Sequence, residues 1–148
     1  MENQDRVSEA GVRRRCGPVK SYRGVVVIST YKPETEFYTD ERCYIVEIHN
    51  RNDDEACSIA RARVLPGVTT QLHALRGVDE RYVILDGEGS VEVNGGPPTP
   101  VRPFDVVGIV AGTTQRITNT GDQDLVFLCI CTPRFDPDRY MNMESPKS

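Results

Sequence analysis

Apolar residues along this chain fall in short runs or in strict alternation, with no sustained helical period. The run Tyr22 to Tyr31 contains Val25-Val26-Val27-Ile28 and predicts a first strand, closed by a turn at Lys32-Pro33-Glu34. Cys43 to His49 predicts a second strand. Ser58 to Leu65 alternates, so that Ala60, Ala62 and Val64 share one face while Ile59, Arg61 and Arg63 share the other. Which of these faces is the inner one stays open at this point. Further extended segments are Thr70 to Leu75, Arg81 to Leu85, Ser90 to Val93, Val106 to Ala111, Gln115 to Thr118 and Leu125 to Cys131. They are punctuated by Pro66-Gly67, Asp86-Gly87, Asn94-Gly95 and Gly121-Asp122, which are turn and hairpin signals. Arg134 to Tyr140 reads as a short helical turn covering the sheet.

Short strands with frequent turns predict an all-β sandwich or barrel. Residues 1–18 are polar and aperiodic and read as a flexible arm. Residues 19–140 read as one domain, and 141–148 as a C-terminal tail. Composition agrees with strands: Val occurs 18 times against 6 Leu and 6 Ala. A chain of 148 residues is one domain's worth, large enough for a core without metal or disulfide staples.

The formal charge of −4 and the lack of a basic run beyond Arg13-Arg14-Arg15 argue against a nucleic-acid partner. No stretch reaches membrane-spanning length, and no apolar leader opens the chain. Five cysteines in no scaffold spacing suit a reduced, cytoplasmic setting, which is the expectation here.

The chemistry concentrates between Gly67 and Asn119. Gly67 precedes His73 by six positions, Glu80 follows His73 by seven, and Gly87 follows Glu80 by seven. Farther on stand Asp105, Gly112, Gln115 and Asn119. On strands, His73 shares a face with Gln71 and Leu75, and Glu80 shares one with Tyr82 and Ile84.

This arrangement resembles the two motifs of the cupin superfamily. In the first, Leu75 stands where the pattern has a second His. In the second, Val110 replaces a Pro, Gln115 replaces a His, and Phe104 replaces the Gly before Asp105. The strings Glu80-Arg81-Tyr82-Val83-Ile84-Leu85 and Cys131-Thr132-Pro133-Arg134-Phe135 are similar to small single-domain bacterial cupins, often labelled by likeness to mannose-6-phosphate isomerase. That label is a fold-level analogy.

The resemblance implies a double-stranded β-helix, or jelly-roll barrel, holding one divalent metal ion (Fe, Mn, Ni or Zn). Its ligands here are His73, Glu80 and Gln115, the last through its amide oxygen. Tyr82 and Glu47 are the candidate proton-transfer groups, and Arg63 the candidate anchor for an anionic substrate. Gln71, Leu75, Arg61, Cys43 and His49 are the remaining pocket candidates. Cys129 and Cys131 read as packed small hydrophobes.

The expected function is Lewis-acid-assisted proton transfer on a small, anionic or carbonyl-containing metabolite, of isomerase, cyclase or lyase type. The alternatives are a non-haem iron dioxygenase and a non-catalytic small-molecule-binding cupin. The resemblance also implies a homodimer, with Val25 to Tyr31 as the segment for strand exchange.

Overall fold

A computed structural model describes residues 25–145. The arm expected over 1–18 lies outside the described residues. The strands are β1 (Phe37–Tyr38), β2 (Tyr44–His49), β3 (Ser58–Val64), β4 (His73–Leu75), β5 (Asp79–Asp86), β6 (Gly89–Val93), β7 (Thr99–Val101), β8 (Val106–Ile109), β9 (Gln115–Asn119), β10 (Leu125–Thr132) and β11 (Tyr140–Asn142). The helical elements among the described residues are the 3-10 turns Pro33–Thr35 and Pro137–Arg139.

Two antiparallel sheets result. One has the order β1-β2-β3-β10-β5-β8, the other β11-β4-β9-β6-β7. Their inner faces meet in a core of Ala62, Val64, Ile84 and Phe127 from the first sheet and Val91, Val101 and Ile117 from the second. Alternation and turn spacing predict a sandwich or barrel, and the two sheets have the jelly-roll architecture that the resemblance implies.

Asn119, at the end of β9, is a structural clamp. Its amide nitrogen donates to Val64 O and Gln123 O, both at 2.8 Å, and its oxygen accepts from Gly121 N. Gly87 ends β5 with φ +81°, and a Cβ there would lie 2.5 Å from the backbone oxygen of Asp124. Asp105 accepts from Arg102 N. Phe104, one step earlier, holds φ 73° in the left-handed region that favours glycine. Its ring is 85% exposed and recovers little by packing.

Three local expectations change. Residues 25–32 carry no strand. The edge of β2 is already taken by β1, through Phe37↔Ile45 and Tyr38↔Tyr44. The valine run has no ladder to join there, and Val26 is 84% exposed. The helical turn expected over Arg134 to Tyr140 contracts to Pro137–Arg139. The sheet also continues past residue 140: Met141 and Asn142 pair with Ala74 and His73. Glu144 then binds the Arg42 guanidinium and the backbone N–H of Leu72. Strands β1, β7 and β11 escape pattern reading because two or three residues cannot show a period. β7 also contains Pro100, which an edge strand tolerates.

Gly87→Ala is expected to destabilise the fold by about 3 kcal/mol, since strained φ and a backbone clash add. Phe104→Gly is expected to stabilise it by about 1 kcal/mol through relief of the left-handed backbone. Urea unfolding of both variants checks the pair; equal effects from the two would contradict the geometry.

Candidate functional site

β4 turns His73 and Leu75 into the barrel, and His73 is only 3% exposed. Its Nδ1 lies 2.8 Å from the backbone oxygen of Gln71. A carbonyl can only accept, so Nδ1 carries a proton and donates it, and Nε2 is the ring atom that faces Glu41. Gln71 does a second job: its side-chain oxygen accepts from the Tyr140 hydroxyl at 2.7 Å. The Tyr140 ring stacks on His73 with centroids 4.9 Å apart. One residue thereby orients both rings.

The register sets Gln115 of β9 directly opposite His73. Gln115 is 1% exposed and Glu80, on β5, 6%. Gln115 Nε2 donates to Glu80 Oε2 at 2.7 Å, while Gln115 Oε1 is buried with no hydrogen-bond partner. The other oxygen of Glu80 faces the Cys131 thiol at 3.8 Å. Burial pushes the Glu80 carboxyl above its ordinary value, against the opposing pull of His73 and the Gln115 hydrogen bond.

A cavity of about 140 Å³ opens beside this cluster. His73, Glu80, Tyr82 and Leu75 line it, as do Cys43, Glu47 and His49 from β2 and its approach. Tyr82 packs against Phe127 at 4.7 Å between centroids, and burial holds its phenol firmly protonated. Burial also pushes the Cys43 thiol up to about 12 and raises the thiols of Cys129 and Cys131, so all three present neutral S–H groups to the wall. His49 lines the cavity with both ring nitrogens engaged, Nδ1 by Ser29 Oγ at 2.6 Å and Nε2 by Asp54 at 2.9 Å. Glu47 accepts from Asn50 at 3.1 Å.

Gln71 and Gln115 are not on the wall; Gln71 stands behind Tyr140, and Gln115 behind Glu80. Arg61 and Arg63 are not there either, which corrects the role expected for Arg63 as an anchor and for Arg61 as a pocket group. The small Ala60 and Ala62 take the inner face of β3. Arg61 and Arg63 project to the opposite face and bind Glu36, Arg63 also reaching Asp124 at 3.0 Å. An unpaired guanidinium inside would carry a desolvation cost that these outer carboxylates remove.

Sequence reasoning missed Glu41. Its carboxylate lies 3.9 Å from His73 Nε2 on the cavity wall, and burial raises its carboxyl above the ordinary value. It belongs to a charged turn whose shape comes from the backbone: Arg42 adopts φ 66°, its guanidinium bonds Thr69 O, and Gln71 N bonds Glu41 O. No periodicity marks such a residue. Tyr140 was missed because β11 is so short.

Among the described residues, no three of His, Cys, Asp and Glu come together as a metal-holding group. What the structure brings together is the His73 imidazole facing Glu41, and Gln115, opposite His73 in register, with its amide nitrogen on Glu80 and its amide oxygen without a hydrogen-bond partner.

The family model for the cupin domain matches residues 60–131. An oxalate-binding protein of Thermotoga maritima is 37% identical over 83 residues, a stretch that covers 56% of this chain and 64% of that protein. Among solved structures, a predicted oxalate decarboxylase from Thermotoga maritima is 30% identical with a TM-score of 0.61, covering 74% of this chain and 98% of that one. A Klebsiella pneumoniae protein with a double-stranded β-helix domain superposes with a TM-score of 0.64 at 13% identity, over 76% of this chain and 93% of its own; that likeness concerns the fold alone.

The outer ion pairs give a pH prediction. The hydrogen bond from Arg63, supported by the charges of Arg63 and Arg61, holds the Glu36 carboxyl below its ordinary value of 4.5. A lowered carboxylate contributes stability above its unfolded value and loses it as pH falls through the folded one. Glu36→Gln is therefore expected to cost about 1 kcal/mol at pH 7, with the difference from wild type shrinking below pH 4.5. Denaturant titrations across pH 3 to 7 (roughly the range where carboxylates titrate) check it; a pH-independent difference would contradict it.

Proposed function

The chain belongs to the cupin family, and we propose that it is a small-molecule-binding cupin whose barrel holds one divalent cation through His73, Glu80 and Gln115. The observation that carries this reading is the orphaned, buried Oε1 of Gln115, a residue whose amide nitrogen bonds the Glu80 carboxylate and which stands opposite His73 across the β4–β9 pair. An unmet buried acceptor costs about 1–3 kcal/mol. A cation would answer it, together with the lone pair of His73 and the charge of Glu80. The bond from His73 Nδ1 to Gln71 O is the outer support that a ligating histidine needs. Leu75 supplies no donor, so three protein ligands would leave positions open toward the cavity. The names of the Thermotoga relatives support a small molecule as the partner.

Such a cation, when bound, supplies Lewis-acid polarisation of a carbonyl or enol oxygen. The chain's own groups would do the rest. Tyr82, protonated and on the cavity wall, is suited to donate a proton. Glu41, facing His73, is suited to accept one. Glu47 remains a proton-transfer candidate on the same wall. This is isomerase, cyclase or lyase chemistry. The dioxygenase alternative needs two histidines and a carboxylate, and the engagement of both His49 nitrogens weakens it. The hydrogen bond between Gln115 and Glu80 favours the other alternative, a cavity that binds without metal and without turnover.

Metal analysis of untagged protein, reconstituted in turn with iron, manganese, nickel and zinc, decides between them. The expected result is about one equivalent in wild type for at least one metal, loss in His73→Ala, and tighter retention in Gln115→His, since imidazole outbinds an amide oxygen. Wild type that takes up none of the four would overturn the cation reading and leave the metal-free one.

A further inference from the structure

The cavity beside His73 and Glu80 has a charge balance unlike that of an anion site. Three carboxylates, Glu41, Glu47 and Glu80, lie on its wall. Among the described residues that line it there is no Arg or Lys. The nearest candidates from sequence, Arg61 and Arg63, are on the other face of β3 and bound to Glu36 and Asp124. A divalent cation at the proposed site would be matched by Glu41 and Glu80, leaving no positive surplus. In the cation-free cavity an anion brought in from water would lose its hydration and meet no Arg or Lys on the wall.

The larger part of the wall is apolar, with Thr39, Asn50, Ser58 and Thr70 as further polar residues on it. Phe37, Ile45, Ile59, Leu75, Phe127 and Phe135 contribute to it. Its volume of about 140 Å³ is that of a small ring; a cavity of ~150 Å³ lined by aliphatic and aromatic groups takes up benzene. Among the polar groups of the wall, the Tyr82 hydroxyl offers a donor and the Glu41 carboxylate an acceptor. The Tyr82 hydroxyl forms no hydrogen bond among the described residues, and Glu41 meets only His73, at 3.9 Å. A ligand hydroxyl, which both accepts and donates, matches those two groups.

We propose that the ligand of this cavity is a neutral, ring-sized molecule with an apolar body and one hydroxyl-bearing edge, and not a small dianion such as the oxalate named for the Thermotoga relative. The inference deepens the small-molecule reading above. It shares the cavity with the cation and does not depend on it.

Titration calorimetry on the full chain, metal-reconstituted and chelator-treated, would compare three probes. Phenol has the ring and the hydroxyl, benzoate has the ring with a negative charge, and oxalate has charge without an apolar body. Phenol is expected to bind at least tenfold more tightly than benzoate, with oxalate undetected, in both preparations. Oxalate or benzoate binding more tightly than phenol in either preparation would overturn the proposal. Metal analysis of the same samples reports on the cation separately, so phenol binding to protein that takes up no metal would sink only the cation reading.

Ala60→Leu fills the wall from β3 and is expected to abolish phenol binding while leaving metal content unchanged. Undiminished phenol binding in a folded Ala60→Leu protein would place the ligand elsewhere and overturn the proposal. Should that variant fail to fold, methyl NMR of wild type decides: phenol should shift the Ile45, Ile59 and Leu75 methyl signals, and shifts confined to other methyls would overturn it.

Discussion

Strand β10 is paired on both sides, to β3 through Leu125↔Val64 to Cys131↔Ser58 and to β5 through Val126↔Asp86 to Thr132↔Asp79. Buried backbone donors and acceptors must be met, and this strand meets them across eight residues. The pairing fixes which side chains share the inner wall. Phe127 packs on Tyr82, and Cys131 comes beside Glu80 because those residues are register partners or their near neighbours. The site's acidic wall is in this sense a product of sheet register more than of any side-chain contact.

The same alternation separates charge. On β3 each small residue turned inward puts the next residue outward, and the next residues are arginines. Cations therefore collect outside, on Glu36 and Asp124. Inside remain carboxylates, the His73 imidazole held by Gln71 O, and an amide oxygen without a donor. Facing these acceptors on the wall are the Tyr82 hydroxyl and the thiols of Cys43, Cys129 and Cys131, which burial keeps protonated.

Much of this was legible in the sequence. The valine-rich alternation and the Asp-Gly and Asn-Gly pairs were enough for the two-sheet barrel, because strand period and turn chemistry are local. The cupin resemblance carried by the residues from Gly67 to Asn119 named His73, Glu80 and Gln115 together, and the sheet register sets Gln115 opposite His73 with its amide on Glu80. Other features were not legible because they depend on partners far along the chain. Val25 to Ile28 has every local property of a strand, but it joins no ladder, and the edge of β2 is taken by β1. The alternation of β3 separated Ala60 and Ala62 from Arg61 and Arg63 without saying which pair faces inward; that depends on Glu36, which lies in no strand. Glu41 faces His73 because a turn with a left-handed residue carries it there, and Tyr140 because three residues of β11 dock on β4. Neither turn geometry nor a three-residue ladder leaves a period to read.

The stacking of Tyr140 on His73 has a consequence in time. The groups around His73 come from residue 41, residue 71 and residue 140, so the pocket closes only through pairings of long sequence separation. Such pairings carry a loop-closure cost before any contact repays it, and they place a protein among slow folders. A chain leaving the ribosome N-terminus first can form the β2–β3 hairpin early. It cannot cover the imidazole until nearly the whole barrel has been synthesised. During that interval the histidine and its neighbouring carboxylates face solvent, and the proposed cation site would be filled, if at all, by the cations present while the barrel closes.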